Sequence, residues 1–382
     1  MDLSQPPEVS SPLPQAPPQG PCRKRLAVVL FNLGGPDAPA SIRPFLVNLF
    51  TDPAILRLPG FVRPWLGRLI AWRRTPAATA NYAIIGGKSP LLELTLAQAA
   101  ALQAQLGDEP DVEAKCFVAM RYWHPMSDAA AAAVKDWGAE EVVLLPLYPQ
   151  FSTTTTGSSA TAWRHAAERA GLDVPTTTLC CFHSDARFVA ATAAIVRRAW
   201  DAARAALDPA VPLRVLFSAH GLPASIVASG DPYQWQVEQT VATVAARLEL
   251  PGLDHMVCYQ SRVTPQRWIG PSTGEALERA AHDKVAVLVV PIAFTSEHSE
   301  TLVELDVEYR EEAHKLGVPG YFRAPAQDSD AGFIAALAEL MRGARASGRP
   351  LCSFAGPRQC PKAHRGCPHG ALAPASRTKA AA

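Results

Sequence analysis

Two kinds of segment alternate along most of the chain. Short apolar runs predict buried strands, and the Ala-rich stretches between them predict helices. The predicted strands are Leu26–Asn32, Val112–Met120, Glu141–Tyr148, Thr176–Phe182, Leu213–Ser218, His255–Gln260 and Lys284–Phe294. The predicted helices cover residues 94–106, 127–137, 158–170, 185–207, 235–248 and 273–282.

This alternation is typical of an α/β fold with mostly parallel sheets. Because the pattern occurs once before and once after the long helix at 185–207, we expect two doubly wound, Rossmann-like domains. The expected divisions are a disordered, Pro-rich extension (1–24), a first domain (25–184), a second domain (185–345) and a basic, Cys-containing tail (346–382). In such folds ligands bind beyond the carboxyl ends of the strands, so functional residues are expected just after each apolar run.

The composition narrows the class of protein. The 382 residues are 48% hydrophobic and 19% charged, which excludes a wholly disordered chain. The 36 Lys and Arg nearly balance the 35 Asp and Glu, so nothing points to a nucleic-acid partner. The longest apolar run, Val285–Phe294, is about half the ~20 residues that a membrane helix needs. The first 22 residues lack the apolar core of a secretory signal, so we expect a cytoplasmic protein.

The carboxyl-terminal tail differs from the rest of the chain. Residues 341–382 hold eight Lys or Arg and no Asp or Glu. Three of the eight cysteines also lie there, at Cys352, Cys360 and Cys367. In a reducing compartment, clustered cysteines more often bind metal than form disulfides.

Two strand ends carry unusual chemistry. His220 follows the run Leu213–Ser218, where a histidine can act as a metal ligand or a general base; a histidine satisfied by its local backbone is the alternative. After the run 284–294, the side chains of Glu300, Glu304 and Glu308 recur every fourth residue on one helix face. They predict either a solvated acidic face or a path of carboxylates that carries protons or a divalent cation.

Three further segments have both functional and structural interpretations. Arg121 and Tyr122 could bind carboxylates or orient a planar ligand, or form an edge aromatic cluster. Trp268 could stack on a flat ring or fill the core. Residues 58–74 combine large apolar residues with arginines and contain no acid. This composition suits either a segment on an anionic membrane surface or an ordinary amphipathic helix.

Taken together, these segments resemble the ferrochelatases, enzymes that insert ferrous iron into a porphyrin. The most specific motif is Ser218-Ala-His-Gly-Leu-Pro223, followed by Pro291-Ile-Ala-Phe-Thr-Ser-Glu-His-Ser-Glu-Thr-Leu-Val-Glu304. Asn32-Leu-Gly-Gly-Pro, Arg73-Arg-Thr-Pro, Gly86-Gly-Lys-Ser-Pro, Tyr148-Pro-Gln and Tyr259-Gln-Ser-Arg262 add to the resemblance, which extends from about Ala27 to about Glu339.

The resemblance implies roles for particular residues. His220 and Glu300 would be catalytic and would meet the substrate iron, with His298 bracing Glu300. Glu304 and Glu308 would continue an acidic path, and Arg74 would lie near the porphyrin propionates. The residues expected to line the porphyrin pocket are Leu33, Tyr82, Ser89, Arg121, Tyr122, Trp268 and Phe294.

The resemblance also implies partners and a location. Porphyrin and Fe²⁺ would be substrates, bound in a cleft between the two domains, and residues 58–72 would form a hydrophobic lip on the inner membrane face. The lip favours protoporphyrin. A coproporphyrin ferrochelatase, another tetrapyrrole chelatase and a non-enzymatic porphyrin or haem carrier are the alternatives, and a homodimer is left open.

The tail cysteines resemble those of ferrochelatases that carry a 2Fe–2S cluster. Cys352, Cys360 and Cys367 would supply three ligands, whereas such a cluster needs four. The stretch Ser152–Thr156, where some members have a further ligand, contains no cysteine. The fourth ligand is therefore unassigned, with Cys180, Cys181, Cys258, His364 and His369 as candidates. A structural Zn²⁺ site and a disordered basic tail are the alternatives.

Overall fold

The computed structural model describes residues 23–107, 109, 111–262 and 266–371. The expected disordered extension, 1–24, lies outside the described residues except for its last two positions, and so does the end of the basic tail from residue 372.

The described chain forms strands and helices in alternation. The strands are β1 (Lys24–Asn32), β2 (Val112–Met120), β3 (Glu141–Pro146), β4 (Thr176–Leu179), β5 (Leu213–His220), β6 (His255–Gln260), β7 (Ala286–Pro291), β8 (Tyr321–Arg323) and β9 (Leu351–Cys352). The helices are α1 (Ile42–Thr51), α2 (Arg63–Ile84), α3 (Leu91–Leu106), α4 (Ser127–Asp136), α5 (Thr156–Ala170), α6 (Ala186–Ala206), α7 (Ala224–Ala228), α8 (Tyr233–Leu248), α9 (Thr273–His282), α10 (Tyr309–Leu316), α11 (Ala331–Ala346) and α12 (Pro368–Ala371), with a 3₁₀ turn at Pro39–Ser41 and a π-helix at Glu300–Glu308.

The strands form two parallel sheets, which confirms the predicted fold class. The first has the order β2-β1-β3-β4-β9 and the second the order β6-β5-β7-β8. Each of the seven predicted strands is present, with ends shifted by a few residues. The largest change is at the run 284–294, where the strand stops at Pro291 because the chain turns there toward the π-helix.

Parallel pairing places the chemically unusual residues at one edge of the second sheet. His220 pairs with Gln260, and Ser218 pairs with Pro291. The three strands β5, β6 and β7 therefore end side by side. The segments that follow them, including the π-helix, start from the same edge, which is where ligands bind in folds of this class.

Helices α6 and α11 connect the two sheets. Helix α6 packs on α8 and α11, and α11 also packs on α3. Apolar residues of both sheets, such as Leu30 and Leu288, belong to one continuous core. The tail then returns to the first sheet, where Cys352 pairs with Leu179. The domain boundaries near 184 and 345 stay predictions.

Helix α2 lies close against α1. At Gly67 an added Cβ would stand 2.6 Å from the carbonyl oxygen of Phe50, so a side chain there would force the helices apart. No helix in the described part of the chain is both long and apolar enough to cross a membrane.

Candidate active site

An imidazole and a carboxylate face each other at the carboxyl edge of the second sheet. His220 is the last residue of β5, and Glu300 is the first residue of the π-helix. The Nδ1 atom of His220 lies 3.0 Å from Oε2 of Glu300, and each side chain is about one-third exposed. The contact orients the histidine so that its other ring nitrogen is left for a ligand.

The two groups shift each other's pKa. Burial alone would lower the pKa of His220, but the charge and hydrogen bond of Glu300 outweigh it and raise that pKa above its ordinary value. Burial would raise the pKa of Glu300, but His220 and then His298 lower it well below the usual range. Glu300 is therefore a carboxylate at neutral pH, paired with a histidine that readily binds a proton.

His298 supports Glu300 from the other side. Its Nε2 atom lies 3.6 Å from Oε2 of Glu300, and its ring is tilted against Phe294 with centroids 4.6 Å apart. His298 is buried, and its main-chain N–H donates to Thr301 Oγ1 at 2.9 Å. The expected brace is thus present as a contact, and Phe294 lies behind it, half-buried.

Glu304 is held by the end of β6. Its carboxylate accepts hydrogen bonds from Gln260 Nε2 at 2.9 Å, from the Ser261 main chain at 2.8 Å and from the Ser261 hydroxyl. Gln260 also donates to the Glu300 carbonyl at 2.9 Å and accepts from Ser218 at 2.8 Å. Gln260 and Ser261 were not predicted from the sequence as functional residues, although both lie in the motif Tyr259-Gln-Ser-Arg262.

The pKa of Glu304 is shifted in the opposite direction from that of Glu300. Burial raises the pKa of Glu304, and the negative charge of Glu300 raises it further. Glu308 is exposed, and its Oε1 accepts from Asn81 of α2 at 3.2 Å. The three glutamates therefore differ in order along the helix. Glu300 is ionised, Glu304 binds a proton more readily, and Glu308 is exposed.

Helix α2 and the turns that follow it lie across from the π-helix and form the opposite wall of the candidate site. The Tyr82 hydroxyl lies 3.5 Å from Ser299 Oγ, and burial raises the pKa of Tyr82 to about 12, so the phenol stays protonated. Ser89 is buried against Gly35, where an added Cβ would stand 2.5 Å from the Ser89 Cβ. Leu33 is half-buried and packs in the same apolar cluster as Tyr82.

Trp268 lies over the turn that follows His220. At Gly221 an added Cβ would stand 3.3 Å from the Trp268 ring and 2.8 Å from the Gln260 carbonyl, so only glycine fits there. The main chain bridges Pro223 and Trp268. The indole is half-buried next to the His220 turn, whereas Arg74 is half-buried on α2.

Arg121 and Tyr122 both hydrogen-bond to Asp52, which was not predicted from the sequence as a site residue. Arg121 Nη2 and the Tyr122 hydroxyl each donate to Asp52 at 2.7 Å, and Ser158 donates to the same oxygen at 2.6 Å. Tyr122 is fully buried, so in this arrangement it supports Asp52 and does not face a pocket. Arg121 is about one-fifth exposed, and its Nε atom also donates to Ser158 Oγ at 2.6 Å.

Several cysteines meet where the tail returns to the first sheet. The Cys180 and Cys181 sulfurs are 3.3 Å apart, too far for a disulfide. The Cys360 sulfur accepts from Gln236 at 3.1 Å. A hydrogen bond with Cys360 lowers the pKa of Cys367 to about 6 despite its burial. Within the described residues, no three His, Cys, Asp or Glu side chains are already arranged around a metal position.

Comparison with known proteins gives one consistent result. A family model for ferrochelatase matches residues 25–345. A ferrochelatase of Caulobacter vibrioides is 51% identical over 320 residues, which are 84% of this chain and 90% of that protein. A ferrochelatase of Hyphomonas neptunium is 49% identical over 352 residues, 91% of this chain and 96% of that protein.

A solved structure shows a similar fold. SirB from Bacillus subtilis with Fe³⁺ has a TM-score of 0.50 and 13% sequence identity, covering 85% of this chain and 96% of that one. At this identity the likeness concerns the fold alone.

Replacing Glu300 by Gln should lower the pKa of His220, because burial remains while the charge of Glu300 that compensates it is lost. Since the folded-state pKa of His220 is raised, its contribution to stability is fully present below its unfolded-state pKa and is lost as pH rises through the folded-state pKa. NMR of histidine ring-labelled protein would measure the titration, with the signal assigned through His220→Asn.

Glu308→Gln is the matched control, since Glu308 is exposed at the far end of the same helix. It should leave the His220 titration nearly unchanged. An unchanged or higher pKa of His220 in the Glu300→Gln protein would contradict the pairing.

Proposed function

The chain belongs to the ferrochelatase family, and we propose that His220 and Glu300 carry the proton chemistry of iron insertion at the carboxyl edge of the second sheet. The enzyme is a lyase whose substrates are porphyrin and ferrous iron. The observation that carries the proposal is the 3.0 Å contact between His220 and Glu300.

Iron insertion must remove two protons from the pyrrole nitrogens. His220 Nδ1 faces Glu300, which leaves Nε2 to accept a pyrrole proton. The imidazolium that forms is stabilised by the Glu300 carboxylate, and the raised pKa of His220 reflects this stabilisation. The porphyrin loses its two N–H protons one after the other, and the histidine passes the first to a neighbouring carboxylate before it accepts the second, while the pyrrole nitrogen lone pairs bind the entering Fe²⁺.

The remaining carboxylates suit transfer of protons away from the histidine. Glu304 has a raised pKa and accepts hydrogen bonds from the neutral donors Gln260 and Ser261, so it can take up a proton more readily than an ordinary glutamate. Glu308 lies beyond it at the surface. We infer that the same three acids give Fe²⁺ oxygen ligands that bind it weakly enough for release to the ring.

The opposite wall suits a flat, largely apolar substrate. Leu33, Tyr82 and Ser89 come from the first sheet's connections, while Trp268 and Phe294 come from the second's. A pocket that holds the macrocycle bent would expose its nitrogen lone pairs and resemble the transition state. We propose protoporphyrin as the substrate because helix α2, which forms one wall of the proposed pocket, carries exposed apolar side chains.

Wild-type protein should metallate protoporphyrin with Fe²⁺ under anaerobic conditions, and His220→Ala and Glu300→Ala should each lose about 100-fold or more in kcat, as expected when a group that transfers protons is removed. The change in porphyrin absorbance measures the reaction. Glu311→Gln, an exposed acid that pairs with Lys315, is the control and should keep wild-type activity.

Coproporphyrin and Co²⁺ serve as alternative substrates in the same assay. Faster metallation of coproporphyrin would overturn the proposed substrate. Binding of porphyrin without metallation by the wild type would contradict the proposed roles of both residues and favour a carrier.

We further propose that the lip, residues 58–72, rests on an anionic membrane surface, which would place the enzyme at the inner face of a membrane. Its most exposed apolar side chains are Phe61 (80% exposed), Trp65 (76%), Trp72 (58%) and Leu69 (45%). Arg68 and Arg73 are exposed beside them. Side chains of this size, with cations and no acids, match an interfacial helix.

The double variant Trp65→Ala, Trp72→Ala should lose binding to anionic vesicles in a flotation assay, since both indoles would insert at the interface. Leu316→Ala removes an exposed apolar residue elsewhere and should bind like the wild type. Wild-type flotation by the double variant would contradict the proposal. A smaller particle in sedimentation for the double variant, without loss of flotation, would instead assign the lip to a homodimer interface.

We also propose that the tail holds a 2Fe–2S cluster with Cys180, Cys352, Cys360 and Cys367 as ligands. Burial raises the pKa of Cys352, and the charge of Cys180 raises it further. The pKa of Cys180 is raised by Cys181 and by burial, and also by Cys367. Four such thiols supply the donor type that the cluster requires. Cys258 lies in the second sheet's core and hydrogen-bonds there, so it is a poor candidate.

The bound cluster would supply bonds that fix the tail to the first sheet, and no step of the insertion chemistry passes through it. Anaerobically purified protein should contain equimolar iron and acid-labile sulfide and show an EPR signal after reduction. Cys180→Ser should abolish both, while Cys116→Ser on β2 should leave them intact. Zinc without sulfide, or a cluster retained in Cys180→Ser, would contradict the assignment.

A further inference from the structure

One buried cation grips the segment that carries the active-site acids. Arg323 is the last residue of β8, and its side chain is only 11% exposed. Its Nε and Nη2 atoms donate to the two oxygens of Asp306, each at 2.7 Å, and its Nη1 atom donates to Glu297 Oε1 at 2.7 Å. A single guanidinium thus joins two carboxylates nine positions apart in the chain.

These two carboxylates enclose the catalytic residues. Glu297 directly precedes His298, and Asp306 lies within the π-helix, beyond Glu304. Arg323 therefore fixes both ends of the segment 297–306, which contains Glu300. Glu297 is fixed further, because its Oε1 accepts from the Ala326 N–H at 2.9 Å and its own N–H donates to Asp328 at 3.0 Å.

The helix that this cation grips is one that needs support. A π-helix is rare because its hydrogen-bond pattern is less favourable than that of an α-helix, and it occurs mostly in short stretches at functional sites. The segment 297–308 also contains five acids, whose mutual repulsion opposes close packing. Arg323 is anchored to the sheet through its pairing with Val289 of β7, so it ties the segment to a rigid element.

We propose that Arg323 is a positioning residue for iron insertion, which fixes the segment 297–306 so that Glu300 faces His220. This inference rests on the proposed function of those two residues. Among the described residues, Arg323 hydrogen-bonds to Asp306, Glu297 and the Ala324 carbonyl and to none of the residues proposed to bind the substrate. We therefore expect it to act through Glu300 and His298. A displacement of about 1 Å at a reacting group can cost roughly 100-fold in rate.

The experiment uses Arg323→Met, which keeps the length of the side chain and removes the charge. We expect kcat to fall by about 10- to 100-fold with the KM for porphyrin changed less than about twofold, because Leu33, Tyr82 and Ser89 lie on the other wall. Arg310→Met is the matched control. Arg310 also contacts Asp306 but is about half exposed, so we expect near-wild-type activity.

The pKa of His220 provides a readout that does not depend on turnover. If Arg323 holds Glu300 in place, folded Arg323→Met protein should show a lower His220 pKa, in the direction of Glu300→Gln. A wild-type His220 titration, or a wild-type kcat, would overturn the proposal. Should Arg323→Met not fold, Arg323→Lys tests the same point, since an ammonium cannot reproduce the planar fork and should still lower kcat.

Rescue by a small cation completes the test. A surface cavity of about 410 Å³ reaches Arg323 between α6 and β8. Ethylguanidinium should therefore enter Arg323→Ala protein and restore part of the lost kcat, while ethylammonium at equal ionic strength should restore less. Equal rescue by both ions would overturn the fork as the cause. Wild-type protein without insertion activity would refute the proposed function itself, a result distinct from any of these.

Discussion

The 3.0 Å contact between His220 and Glu300 is the interaction on which the site depends. It joins the end of β5 to the start of the π-helix, two segments that are 80 residues apart in the chain. A half-buried carboxylate is costly unless a cation or hydrogen-bond donors compensate it. The histidine supplies that compensation, and the same pairing raises the pKa of the histidine.

The negative charges of the acids around this pair are compensated to different degrees, so the acids differ in their affinity for a proton. Glu297 and Asp306 share the single positive charge of the buried Arg323 fork. Glu300 has two histidines, so its pKa is low. Burial and the charge of Glu300 raise the pKa of Glu304, and they outweigh the hydrogen bonds of Ser261 and Gln260, which lower it. Under the proposed function, a proton leaving His220 would pass to Glu304, whose pKa is raised, and then to the exposed Glu308.

The sequence was sufficient for seven of the nine described strands, because buried strands follow local apolar patterns, and the family resemblance indicated His220 and Glu300, which the structure brings into contact. It was insufficient where the partner is distant. Asp52 gives no signal in its own neighbourhood, and only folding brings it to Arg121 and Tyr122. Arg323 is likewise an ordinary strand residue in sequence. The π-helix was also missed, since glutamates at every fourth position lie near one face of either helix type.

The short strands were missed for a related reason. β8 has three residues and β9 has two, so neither produces an apolar run that periodicity can detect. Their positions nevertheless matter to the site. β8 carries Arg323, and β9 brings the tail cysteines to Cys180, whose N–H donates to the Cys352 carbonyl at 2.8 Å.

Helix α8 gives the tail and the active site a shared support. Its Gln236 donates to the Cys360 sulfur at 3.1 Å, and its Tyr233 hydroxyl donates to the His220 carbonyl at 3.0 Å. These two residues are three positions apart and lie on one helix face. The tail therefore has a structural relation to the end of β5 through α8. Because the contact is with the His220 backbone, it fixes the position of the histidine. The pKa of the His220 ring is raised by its contact with Glu300.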